Sequence, residues 1–154
     1  PILAEIQALV AKSGFSSPPR RNSNGIDYNR AMLLLAVLEK RGGLSLAACD
    51  TYINVVGGLR IDETAADLAT LLAVASSYRD KPISYDIAAI GEVGLSGEVR
   101  AVTQLNQRLS EIARLGFSKC VVPEHIRDDI IIPSGLKLIK VKNIREAVSA
   151  AIWN

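Results

Sequence analysis

The chain has 154 residues, 49% hydrophobic but only 5% aromatic, with 18 lysines and arginines against 16 acids and a formal charge of +2. A chain this long buries about two thirds of its unfolded surface, so one domain with its own core is expected and bulk disorder is excluded. The small net charge excludes a general polycation, and no run reaches the ~18 apolar residues of a membrane span. Cys49 and Cys120 form neither a metal-binding pair nor a disulfide framework, which predicts buried thiols in a cytoplasmic protein.

A chain that opens on Pro1 and runs straight into Ile2–Val10, ILAEIQALV, reads as a fragment of something longer, beginning with a strand. Between residues 11 and 25 the composition turns to Lys, Ser, Gly, Pro and Asn, which predicts a flexible exposed loop with Arg20 and Arg21 at its tip. Tyr28–Arg41 is apolar nearly all round, flanked by Asp27 and Gly42, and predicts a helix set between other elements. Tyr52–Val56 is a β-branched strand ending at Gly57–Gly58. A further helix runs from about Thr64 to Tyr78, with Asp62 and Thr64 placed to cap its first turn.

Ile83–Ile90 and Gly91–Val102 predict two strand-like segments turning near Gly91–Gly94. Leu105, Leu109, Ile112 and Ala113 give an amphipathic helix closed by Gly116. Lys119–Pro123 and Leu136–Val141 are short strands around a charged, then apolar, excursion at His125–Pro133. Asn143 and Glu146 have capping-box spacing before a last helix striped with Ile144, Ala147, Val148 and Ala151. Strands alternating with helices predict a single α/β (α+β) domain over residues 1–154.

Much chemistry is excluded by what the chain lacks. No Gly-Lys-Ser/Thr loop is present to cradle phosphates, and the glycines of GEVGLSG sit between Glu92 and Glu98, which would repel an anion. His125 is the sole histidine, so it serves no multi-histidine metal site and reads as a surface residue. Asp62, Glu63 and Asp67 cluster at a helix start, where negative charge is favourable for structural reasons alone. Ser76, Ser77, Ser96 and Lys81 supply the residue types of a serine–lysine dyad without any spacing that pairs them.

INVVGGLRIDETAADLATLLAVASSYRDKP, GEVGLSGEVRAV and RLSEIARLGF with CVVPE, together with EIQALV and NRAMLLLAVLEKRGG upstream, carry a resemblance that covers nearly the whole chain. They resemble the C-terminal, Lon protease-like domain of the bacterial RadA (Sms) DNA-repair family. The resemblance implies the fold of the Lon proteolytic domain, whose serine lies in a PKDGPSAG motif and whose lysine lies in a GGLKEK motif. Aligned through Lys81-Pro82-Ile83, the serine motif falls on Ile61–Asp67 with Ala65 at the nucleophile. Aligned through Gly91-Glu92, the lysine motif falls on Thr103–Arg108 with Asn106 at the base.

Alanine offers no nucleophile and an asparagine amide takes no proton at neutral pH. A domain without proteolytic activity is therefore expected, the remote alternative being a relocated Ser–Lys pair such as Ser96 with a lysine. The resemblance further implies DNA, single-stranded or branched, as partner, and assembly into a ring, a hexamer, that supports branch migration. Arg20, Arg21, Arg30, Arg79, Lys81, Arg100 and Arg108 are the candidate phosphate contacts. The alternative from another class is a pure oligomerisation scaffold. No metal or cofactor is expected in this domain; in the family, zinc and ATP belong to segments that precede it.

Overall fold

In the computed structural model, which describes residues 3–14 and 18–152, the first apolar run is strand β1 (Ile6–Lys12). Its outer residues alternate with partly buried ones, as an edge strand packed on one face requires. The element that organises this half of the molecule is the later strand at Cys49–Val55, which pairs antiparallel with β1 from Ile6↔Val55 to Lys12↔Cys49. Its other side takes β2 (Arg21–Asn24) in parallel, Arg21 lying opposite Thr51.

Strand β2 corrects the expected loop at 11–25. Ala11 and Lys12 end β1, and Arg21–Asn24 form a strand despite their polarity. A sheet edge bonds through its backbone, so polar side chains suffice once local partners hold them. Arg21 donates to the carbonyls of Leu46 (2.9 Å) and Cys49, and Ser23 Oγ donates to the Ile26 carbonyl (2.7 Å). Pro18 and Pro19 precede the ladder and need not pair. The rest of that loop, Phe15–Ser17, lies outside the described residues.

Helix α1 (Tyr28–Gly42) begins at Asp27, whose carboxylate accepts from Arg30 N, and ends at Gly43 in the left-handed region. As its all-round apolarity requires, it packs against β2, α2 (Asp67–Arg79) and the last helix. Between α1 and α2 stand β3 (Cys49–Val55) and two single turns of 3-10 helix, Val56–Gly58 and Thr64–Ala66. The anticipated caps at Asp62 and Thr64 are absent: Asp62 accepts from Arg60 Nε, and Thr64 Oγ1 donates to Glu92 (2.8 Å). The tight turn before α2 shifts the helix start to Asp67, beyond their reach.

The region after α2 is shorter in strand and tighter in turn than its composition predicts. Strand β4 (Ile87–Ala89) is followed by the ribbon of β5 (Glu92–Val93) and β6 (Val99–Arg100). The reversal falls at Gly94–Gly97 rather than Gly91–Gly94, because Gly97 supplies the positive φ (80°) and its N–H donates to the Gly94 carbonyl at 2.9 Å. Gly91 serves packing instead: a Cβ there would stand 2.7 Å from Val99 Cγ1.

Helix α3 (Leu105–Arg114) then leads to β7 (Lys119–Pro123), and β8 (Lys137–Val141) to α4 (Ile144–Ala151). Strands β4, β7 and β8 form an all-parallel sheet in that order. Asn143 caps α4 by accepting from Glu146 N at 3.0 Å, while Glu146 accepts from Lys142 N. One apolar core fills the space between the first sheet, α1, α2 and α4; a second, around Leu109, Ile112, Cys120 and Val122, lies beneath α3. The architecture is a mixed α/β domain, as expected.

Candidate functional site

Ala65 sits on the 3-10 turn that leads into α2, with only 9% of its surface exposed. Its carbonyl accepts from Gly91 N (3.1 Å), and the Gly91 carbonyl accepts from Leu68 N (3.1 Å). The β5 approach thus clamps the turn from both sides. Beside it opens a cavity of about 440 Å3 with apolar walls from Leu3, Leu59, Ala69, Ile90 and Ile112. The polar groups at its rim are Arg60, Asp62, Glu63, Arg108 and Glu111.

Of the segment Thr103–Arg108, Arg108 is the residue that lines this cavity. Its side chain is 12% exposed, donates to the Thr103 carbonyl (2.9 Å), and holds Glu63 through two hydrogen bonds of 3.1 and 3.3 Å. Those bonds keep the Glu63 carboxyl below its ordinary pKa, against a smaller opposing effect of burial. Asn106 does not face Ala65. Two residues along a helix amount to about 200° of rotation, so Asn106 lies on the opposite flank of α3, in a separate cleft with Gln107, His125 and Ile130. There its Oδ1 accepts from Ile131 N at 2.9 Å.

A second polar constellation sits behind the turn. Asp67 is 3% exposed, accepts from Val93 N (3.0 Å), and forms a two-pronged ion pair with Arg30. The Arg30 pKa is raised chiefly by its hydrogen bond to Asp67, against burial. This network joins α1, α2 and β5, a structural task that charge clustering in the sequence could signal but not pair.

The hydroxyls of Ser76 and Ser77 are engaged elsewhere, and Ser96 bonds through its backbone N–H. Ser76 Oγ donates to the Lys81 carbonyl (2.5 Å), Ser77 Oγ accepts from Val10 N (2.9 Å), and Ser96 N donates to Glu98 (3.1 Å). Among the described residues, none of these three serines bonds a lysine ammonium through its hydroxyl. Among the described residues, no group of three or more His, Cys, Asp or Glu is placed to hold a metal, and no helix is long and apolar enough to cross a membrane.

The seven candidate phosphate contacts divide sharply. Arg30 is committed to Asp67, Arg100 to Glu98 and Glu92, Arg108 to Glu63, and Arg21 to backbone carbonyls. Arg20, Arg79 and Lys81 have no ion-pair partner among the described residues. Short contacts link their surroundings: Thr51 N donates to the Arg20 carbonyl, Ser45 N to Tyr78 Oη, and Val10 N to Ser77 Oγ. Lys12, opposite Cys49, and Lys40, in the last turn of α1, join this end of the molecule; the sequence alone did not single them out. Acids there are Glu39 and Asp50, both accepting backbone N–H groups, and the exposed Asp80.

The family model of the Lon protease (S16) C-terminal proteolytic domain matches residues 46–154. The chain belongs to that family. It is also 47% identical over 152 residues to the DNA repair protein RadA of Bacillus subtilis, covering 99% of this chain and 33% of that protein. The RadA of Streptococcus pneumoniae is 46% identical over 148 residues, 96% of this chain and 35% of the relative. That of Streptococcus pyogenes serotype M1 is 45% identical over 150 residues, 97% and 33%. The chain thus spans about a third of the length of these curated relatives, and the resemblance to the Lon protease-like domain of RadA holds along nearly all of it.

Proposed function

We propose that this chain is a Lon-type domain without proteolytic chemistry, which binds the DNA backbone and supports a ring-shaped homo-oligomer, a hexamer, in a RadA-like repair protein of the cytoplasm. The observation that carries the first part is the pairing across the cavity, a methyl group at Ala65 facing an arginine already bonded to Glu63. Asn106 takes the place of the first lysine of the GGLKEK motif, and Arg108, which matches the second, is the cation of that segment on the cavity wall. An arginine does not surrender its proton in a protein, so it activates no nucleophile.

For DNA binding, the supporting feature is the end of the molecule that carries Lys12, Arg20, Lys40, Arg79 and Lys81. Phosphate binding draws its affinity from counterion release at several charges together. The names of the RadA relatives speak of DNA repair, and branch migration by the whole protein follows from the same reading. Replacing Arg20, Arg79 and Lys81 by Glu should abolish DNA binding and leave assembly intact; unaltered binding would leave the scaffold reading, with DNA contacts elsewhere in the parent protein. Specific labelling of any serine by a serine-reactive probe, or cleavage of unfolded casein, would instead establish a relocated Ser–Lys pair.

A further inference from the structure

The cavity beside Ala65 lies on the seam between the two apolar cores. Ala65, Ile90 and Ile112 belong to the core beneath α3, Ile6, Ile61 and Ala89 pack against the larger one, and all six line the cavity. Small side chains keep it open: from residue 65 onward, the turn and α2 contribute only the methyl groups of Ala65, Ala66 and Ala69. At about 440 Å3 it falls within the range of small-molecule sites, which are mostly apolar with a few fixed polar groups.

Every charge on the rim is already answered within the protein. Arg60 pairs with Asp62, Arg108 with Glu63, and Glu111 with Arg114. An ionised ligand therefore meets no free counter-charge, and it would carry its own charge against Leu59, Ile90 and Ile112 at a desolvation cost. What the wall still offers is a hydrogen bond. A guanidinium has five N–H groups; Arg108 uses three of them on Thr103 and Glu63, which leaves two without a partner among the described residues. The side chain is only 12% exposed, so these donors are largely withheld from water and an acceptor brought into the cavity would satisfy one of them. The bonds to Thr103 and Glu63 also hold the guanidinium in place, and a planar cation at a cavity wall attracts an aromatic face.

We propose that this cavity is a binding site for a small, uncharged aromatic molecule with one carbonyl acceptor, the ring lying between the alanines and Ile90 and Ile112 and the carbonyl oxygen accepting from Arg108. The proposal goes beyond DNA binding and assembly and is independent of both. Such a ligand would join β4, α2 and α3 across the seam and so tighten the hold of one core on the other.

The test titrates this chain, without DNA, with acetophenone and follows the methyl signals of Ile90, Ile112 and Ile144 by NMR. Ile144 belongs to the larger core and does not line the cavity. Shifts at Ile90 and Ile112 should saturate while Ile144 stays fixed. Toluene, which lacks the acceptor, should bind about tenfold more weakly, the lower range for a hydrogen bond to a charged group. Benzoate and benzylammonium should each bind more weakly than acetophenone by about tenfold or more, because their charge loses its water without gaining a partner. Arg108→Met should bring acetophenone down to the toluene level and leave toluene unchanged, a split that general damage to the fold would not produce. Ala69→Phe, which fills the cavity, should abolish binding of both. Shifts that never saturate and reach all three isoleucines alike, or undiminished binding to Ala69→Phe, would overturn the site. Benzoate or benzylammonium binding as tightly as acetophenone would overturn the uncharged ligand class, and toluene binding as tightly would overturn the part given to Arg108. A failure of this chain to bind DNA would leave each of these outcomes unchanged.

Discussion

At the scale of single residues, the pair Arg30–Asp67 carries the largest electrostatic stake. Asp67 is 3% exposed and its oxygens are shared between Arg30 and Val93 N. Removing one partner from a buried pair leaves the other charge uncompensated, at about 3–5 kcal/mol. Arg30→Ala should therefore lower the urea midpoint sharply, whereas Arg30→Met combined with Asp67→Leu should recover much of the loss. The cavity beside Ala65 is tested at the same scale. Ala65→Ser restores a hydroxyl but leaves Arg108 bound to Glu63, so a serine-reactive probe should not label the variant. Labelling of Ser at that position would require a base other than Arg108.

Cys120 tests the second core. Burial pushes its thiol up to about 12, whereas an unfolded cysteine ionises near pH 8.5. The unfolded chain thus releases a proton that the folded chain retains, and stability should fall as pH rises above about 8.5. A maleimide reagent at about pH 8 should leave Cys120 unmodified until denaturant is added, since the thiolate is the reactive form. Rapid modification of native protein would show that the region beneath α3 opens readily.

At the scale of elements, helices were the legible part of the sequence and short strands the illegible part. Tyr28–Arg41 is recognisable from its apolar content and its flanking Asp27 and glycines, and α1 occupies Tyr28–Gly42. Residues Arg21–Asn24 are not recognisable as a strand, because β2 is specified by the β3 backbone and by carbonyls that receive Arg21, none of them local in sequence. The composition points to a turn at Gly91–Gly94, three residues before the actual reversal, for a similar reason: whether a glycine is needed for φ or for packing depends on Val99 and Glu98 across the ribbon. At the candidate site the motif draws attention to Ala65 and Asn106, whereas the place of Arg108 on the cavity wall beside Ala65 depends on how α3 is turned. Only the rotation of α3 separates Asn106 from Arg108.

The cap of α4 gives a check at this scale. Asn143 and Glu146 exchange bonds at the helix start as their spacing predicts, except that Glu146 reaches Lys142 N rather than the Asn143 amide. Asn143→Ala should cost about 1 kcal/mol, the usual range for a lost N-cap being about 0.5–2. Because α4 packs on α1 and α2, the loss should appear as a lower midpoint of the whole transition, not as fraying of one helix.

At the scale of the whole molecule, a formal charge of +2 on 154 residues becomes informative only through its distribution. Ion pairing removes Arg30, Arg100 and Arg108 from competition and leaves Arg20, Arg79 and Lys81, with Lys12 and Lys40, without ion-pair partners among the described residues. If three of these meet phosphates of a duplex, log K should fall with log salt at a slope of about −2.7, since each contact contributes about 0.9. Raising salt from about 50 to 200 mM should then weaken binding about 40-fold. The triple replacement of Arg20, Arg79 and Lys81 by Glu should remove that slope together with the affinity, while replacement of Arg100 and Arg108, whose charges are already paired, should alter it little. A steep slope retained by the triple variant would place the duplex contacts on another face, and a flat slope in the parent chain would exclude phosphate contacts as the source of affinity. If the protein assembles as proposed, both measurements belong on the assembly as well as the lone chain, because a ring that presented several such ends to one duplex would multiply weak contacts by effective concentration without changing which residues make them.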